Sequence, residues 1–375
     1  MFSYVIRRLL LMFPTLVGII TITFIVIQFV PGGPIDQIKS LLRGHAGVLT
    51  EAGGAALSRE GLEAREMDPR HLEALKKIYH LDRPLWERYL RTFLWYTPKP
   101  GSDSWFDRDN WEGFLVFKFG DSFYRNRSVI ELIREKLPVS ASLGVISFFL
   151  TYITCILLGI AKAVRNGEPF DTYTSLLVLV GYSTPGFVLG IFLIVFFGPG
   201  DGAIAHLIPL SGLTSAGTPG YETWSFWKKL LDYLHHLIAP LICYMIGSFA
   251  TLTILTKNAI IEEMGKQYVL TARAKGLPEK TILYKHILKN ALIPLVTGFP
   301  TGFLAMFFTG SLLIEQIFSL DGLGLLSYQA VIQRDYPIVL GSLFIFSLLA
   351  LVGQLLTDIS YVLIDRRISF EESQA

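Results

Sequence analysis

The sequence predicts an all-α integral membrane protein with six transmembrane helices, and three observations carry that prediction. Apolar residues make up 51% of the 375-residue chain and charged residues only 17%, against about 25% charged in a soluble domain. Six apolar runs, each close to the roughly 20 residues that cross a bilayer, hold almost no ionisable side chains. Lys and Arg gather in alternate short connections, as a fixed orientation in a membrane requires.

The first run, Leu9–Val30, follows Arg7 and Arg8. It is too long for the core of a signal peptide, and no small-x-small cleavage site follows, so it reads as a retained span. Val139–Ala161 is the second, with Ser128–Lys136 as an amphipathic lead-in. Thr172–Phe197 is the third, interrupted by Gly181, Pro185 and Gly186. Leu237–Thr256, Ala291–Ile314 and Pro337–Thr357 complete the set, the last continuing towards Leu363. Arg7 and Arg8, Lys162 and Arg165, the segment 257–290 with seven Lys/Arg against three Glu, and Arg366 and Arg367 all fall on one side. Segment 315–336, with one Arg and three acids, falls on the other. Both termini are therefore expected in the cytoplasm. Pro31–Pro138 is external, since long loops cross whatever their charge.

The organisation that follows is an N-terminal segment and first helix over 1–30 and an external subdomain over 31–138. A five-helix membrane core then occupies 139–365, with a cytoplasmic loop at 257–290, and a cytoplasmic tail fills 366–375. Within the external subdomain, Gly44–Glu66 is rich in Gly, Ala and Glu and reads as a flexible insertion. Asp68-Pro69 resembles a helix start, and Leu72, Leu75, Ile78 and Tyr79 follow at helical spacing. Pro84 opens a second helix with Leu85, Tyr89, Leu90 and Phe93 on one face. Trp86, Trp95, Tyr96, Trp105 and Trp111 suit a membrane interface, as do Trp224, Phe226 and Trp227 in the second external segment. Cys155 and Cys243 lie singly in apolar runs and read as buried, inert thiols. His235 and His236 are adjacent, so a helix points them apart and no metal pair is expected. A net charge of +2 gives no reason to expect nucleic acid.

Segment 257–290 is the most informative. Ile260, Ile261, Met264, Tyr268 and Val269 continue a helical pattern beyond span four. Thr271, Ala272 and Ala274 are small, Gly276 suits a left-handed helix end, and Pro278 suits the first turn of a new helix. The spacing predicts a short helix, a break and a second helix. On residues alone, an ordinary basic loop with some helix fits as well.

Thr271-Ala-Arg-Ala-Lys-Gly-Leu277, followed by His286-Ile-Leu-Lys-Asn-Ala-Leu-Ile-Pro294, resembles the coupling loop of ATP-binding-cassette importer permeases. More narrowly it is similar to the dipeptide/oligopeptide (peptide/nickel) family. The family loop begins Glu-Ala-Ala; here Leu270, Thr271 and Ala272 stand in those places, and the acid is missing. Other matches run along the chain: Arg7-Arg8-Leu9 with Pro31-Gly-Gly-Pro34, Leu81–Tyr89, Phe119–Ser122, Leu137–Ser140, Glu315–Gly324 and Arg334–Pro337. The insertion and the sequence after Pro34 resemble the Yej-type branch, whose members import oligopeptides and peptide-like antibiotics.

The resemblance implies a type I importer permease fold in a bacterial inner membrane, and a chain that is not itself an enzyme. No Gly-x4-Gly-Lys-[Ser/Thr] occurs, so ATP and Mg are expected on separate nucleotide-binding ATPase subunits, with no cofactor bound by this chain. Gln267, Tyr268, Thr271, Ala272, Arg273, Ala274, Lys275 and Gly276 would form the element seated on the ATPase. A second, related permease as heterodimer partner, an external peptide-binding protein and membrane lipid complete the expected partners. Helix breakers in spans three and five give candidate path residues Gly181, Pro185, Gly298, Pro300 and Gly302, though close helix packing accounts for the same residues. A nickel-type permease is the nearest alternative. An ion-driven secondary transporter would carry intramembrane carboxylates. A hydrolase at Ser183 or Ser311 would need a His at the same depth, which His206, His235 and His286 do not offer.

Overall fold

A computed structural model describes residues 2–29, 82–96, 110–125, 127–199, 204, 207–209, 211–308 and 312–364. Gly44–Glu66, the helix start at Asp68-Pro69, the Leu72–Tyr79 pattern, Pro31–Pro34, Trp105, His206, Ser311, Arg366 and Arg367 lie outside the described residues.

Helix α1 runs Phe2–Phe29. Helix α2, Leu85–Phe93, starts behind Pro84, whose fixed φ of −61° and extended ψ present a free first turn. After Leu94 turns extended, β1 (Trp95–Tyr96) pairs antiparallel with β2 (Trp111–Glu112), Trp95 opposite Glu112 and Tyr96 opposite Trp111. This two-stranded pair departs from the all-helical expectation; aromatic residues favour strands over helices. Helix α3, Val129–Val164, absorbs the amphipathic lead-in and the second apolar run into 36 continuous residues despite Pro138.

The third apolar run is not one helix. It divides into α4 (Pro169–Ser183) and α5 (Gly186–Phe197), bent by 98°. Pro185 cannot continue α4, and the Thr184 N–H instead closes a tight turn on the Gly181 carbonyl at 3.1 Å. Helix α6, Phe226–Met264, has 39 residues, about 58 Å at 1.5 Å per residue, so it outruns a hydrocarbon core of roughly 30 Å. It begins well before Leu237 because Ser225 caps it, accepting from the Lys228 N–H. Then follow α7 (Gln267–Ala274), α8 (Glu279–Ala291, with a π turn over Ile282–Ile287) and α9 (Ile293–Phe308), the last two bent by 50°. Helices α10 (Leu312–Ile317), α11 (Leu323–Gln333) and α12 (Tyr336–Ile364) close the described chain. Among the described residues, four helices are individually long and apolar enough to cross a membrane, and up to six crossings result if each bent pair counts as one.

Contacts divide the chain into two compact units. In the first, drawn from 1–9, 136–326 and 349–375, Leu143 of α3 packs with Leu237, Leu241 and Cys243 of α6 and Ile314 of α10. Small residues let backbones close up there. A Cβ on Gly186 would stand 2.5 Å from the Cys243 carbonyl oxygen, and one on Gly144 would overlap the Met306 carbonyl. In the second unit, drawn from 10–135 and 327–348, Phe114, Phe119 and Phe344 form a ring cluster with centroids 5.1–5.8 Å apart. There too Tyr89 of α2 packs edge-on to Phe24 of α1 and shares a 2.6 Å hydrogen bond with Thr21.

Candidate functional site

The loop between α6 and α8 is ordered by apolar anchoring from beneath. Val269 and Ala272, one turn apart on α7, are buried in a cluster with Ile260 of α6, Ile282, Ile287 and Ala291 of α8, and Ala163 of α3. Gln267, Tyr268, Leu270, Thr271, Arg273 and Ala274 are exposed, as are Lys275, Gly276 and Leu277. The helix ends in a Schellman motif. The Gly276 N–H donates to the Arg273 carbonyl at 2.9 Å, the Leu277 N–H to that of Ala272 at 3.3 Å, and Gly276 has φ +76°. Pro278 stands one residue earlier than a first-turn proline, as the N-cap of α8.

Polar bonds fix the rest. The Arg273 guanidinium donates to both carboxylate oxygens of Glu279, at 2.9 and 3.3 Å, across the break. The Tyr268 hydroxyl donates to Glu263 and accepts from Asn290 Nδ2 at 3.2 Å. Burial and the Glu263 carboxylate hold that phenol above its ordinary range.

A buried ionic cluster ties α3, α4 and α6. Asp171 takes Lys162 Nζ at 3.0 Å and Lys257 Nζ at 2.7 Å. Lys162 Nζ, its side chain 1% exposed, also donates to the Asp171 carbonyl, Thr174 and Ser175. In the sequence, Lys162 and Lys257 read only as charges that orient the chain in the membrane. The cluster is not legible there because nothing in a linear sequence pairs residues 86 positions apart. Glu315 and Asp335, counted as external loop acids, are buried as well. Glu315 accepts from Ser140 at 3.1 Å and the Leu325 N–H at 2.7 Å. Asp335 accepts from Ser122 at 2.5 Å and the Phe123 N–H at 3.2 Å.

The five candidate path residues fall on two stretches of the chain. Gly181 lies in the last turn of α4 and Pro185 in the break, whereas Gly298, Pro300 and Gly302 lie on α9. Gly302 abuts Phe148, where a Cβ would stand 3.2 Å from the ring, within a cluster of Phe148, Phe149, Tyr152, Phe299 and Phe303. A cavity of about 310 Å³ is lined by Gly144, Ser147, Gly186, Cys243, Tyr244 and Gly247, among others. Cys155 and Cys243 are both free and buried.

Long apolar helices among the described residues, two bent pairs included, mark a multi-pass membrane protein. Residues 155–370 match the family described as binding-protein-dependent transport system inner membrane component. The chain belongs to that family, as the permease component of a peptide-family ATP-binding-cassette importer of the inner membrane. It is similar to the peptidoglycan transport system permease protein YejB of Agrobacterium fabrum, at 45% identity over 98% of each chain. It is also similar to the inner membrane ABC transporter permease protein YejB of Escherichia coli O157:H7, at 44% over 98% of this chain and 99% of that one. The dipeptide transport system permease protein DppB of Lactococcus lactis is 30% identical over 98% of this chain and 99% of its own.

Proposed function

We propose that this chain carries oligopeptides or peptide-like compounds, peptidoglycan fragments among them, into the cytoplasm, driven by ATP that separate subunits hydrolyse with Mg. Six spans with both termini in the cytoplasm put α7 on the ATPase side. The observation that carries the reading is α7 itself: two small or apolar residues fasten it and the other side chains stand exposed. A short helix held this firmly can transmit motion when its exposed face is seated on an ATPase. Gln267, Tyr268, Thr271, Arg273, Ala274, Lys275 and Gly276 form that face, with Ala272 beneath it as an anchor. A related second permease would supply the other half of the pathway, and an external binding protein would deliver substrate. The relatives' names support peptides over nickel. The test is purification of the tagged chain in mild detergent with ATPase assay of the eluate. Co-elution of a nucleotide-binding subunit and a second permease is expected; a chain eluting alone, without activity in lipid, would remove the coupling reading.

A further inference from the structure

The second unit contains a cavity of about 480 Å³ that the transport reading does not use. Its walls are Phe24 and Gln28 near the end of α1, Arg88 and Arg91 of α2, the aromatic group around Phe117, and Leu340 of α12. Three cations, Arg88, Arg91 and Lys118, face two carboxylates, Glu112 and Asp121, and Asp121 is exposed.

The two arginines differ. Arg91 is compensated: it donates to Glu87 at 3.1 and 3.2 Å, lies 4.0 Å from Glu112, and its guanidinium covers the Trp95 ring at 4.8 Å. Arg88, one turn earlier on the same face, makes one long bond to Gln28 Oε1, at 3.4 Å, and has no carboxylate partner among the described residues. It is half-buried, and that burial holds its guanidinium below the ordinary arginine range. A partly desolvated cation without a counter-charge is unfavourable unless something anionic joins it. A guanidinium presents the forked donors that phosphate oxygens accept. The opposite wall is apolar, and exposed Leu85, Trp86 and Leu90 on α2 suit a membrane–water boundary.

We infer that this cavity binds an anionic amphiphile, a phosphodiester headgroup on Arg88 with its acyl chain along Phe24, Phe117 and Leu340. The occupant is a membrane phospholipid, whose charge complements Arg88 and whose chain matches the apolar wall. It would fasten α2 to the end of α1.

The test uses the full-length chain, stripped by detergent washing and titrated with phosphatidylglycerol or phosphatidylethanolamine of identical acyl chains. Bound lipid is counted by native mass spectrometry. Both carry the phosphodiester, but the ammonium of phosphatidylethanolamine opposes Arg88, so phosphatidylglycerol should be retained at about tenfold lower concentration, the scale of one repulsion between like charges near a protein surface. Arg88→Gln should abolish that preference, Arg88→Lys should keep part of it, and Arg83→Gln, at an exposed arginine, should leave it intact. Equal retention of the two lipids by the unaltered chain, or a preference that survives Arg88→Gln, overturns the inference. Displacement of lipid by glycerol phosphate at equal concentration overturns the acyl-chain half of it. Should Arg88→Gln fail to elute as one species, the unaltered chain and Arg88→Lys decide the matter: a preference that is absent, or that Arg88→Lys leaves undiminished, counts against the site.

Discussion

At Gly276 the backbone stands at φ +76° and a Cβ would meet nothing within 4 Å. Substitution there acts through backbone strain alone, about 1–2 kcal/mol for a side chain forced left-handed. Gly276→Val should express normally but separate ATP hydrolysis from uptake, while Gly276→Asn, which tolerates this conformation, should be milder. Normal uptake in the valine variant would remove α7 from the ATPase interface. Asp335 offers a pH readout. Burial lifts its carboxyl above the ordinary aspartate range, outweighing the bonds from Ser122 and the Phe123 N–H. The folded protein therefore holds that proton more readily than the unfolded chain. The stability it contributes is full below the ordinary aspartate pKa and is lost as pH rises through the lifted value. Asp335→Asn cannot titrate. The difference in unfolding midpoint between the two proteins should grow in the variant's favour as pH rises through that window, and a constant difference would refute the assignment.

At the scale of elements, the Lys162–Asp171–Lys257 cluster fastens three helices at one point. Removing the carboxylate leaves the buried Lys162 and the half-buried Lys257 without a counter-charge, a loss of about 3–5 kcal/mol. Asp171→Ala should lower the thermal midpoint in detergent far more than Lys257→Met, which leaves Asp171 paired with Lys162. Equal shifts would mean the cluster is not a unit. Which elements the sequence discloses follows from the range of the signal. Helix existence, the Gly276 stop and the break near Pro185 are local, set by backbone sterics within a few residues, and were legible. The 98° angle of that break, the start of α6 at Phe226 and the β1–β2 pair depend on partners distant in sequence. So does the burial of Glu315 and Asp335, which composition places in a polar connection.

For the molecule as a whole, the orientation derived from Lys and Arg predicts that a cytoplasmic reporter fused after Ala375 is active and one inserted at Gly217 is not. The reverse pattern would put α7 on the wrong side for an ATPase. One consequence lies in the ionic contacts of segment 257–290. Of its seven basic residues, Lys257 is spent on Asp171, Lys266 pairs with Glu262 at 2.9 Å, and Arg273 pairs with Glu279. That leaves Lys275, Lys280, Lys285 and Lys289, all exposed, to set the field seen by an approaching partner. Ammonium groups are compact and strongly hydrated, and their reach in water is about 8 Å at physiological ionic strength. If α7 seats on an ATPase as proposed, moderate salt should therefore slow encounter at this face more than it loosens the seated complex.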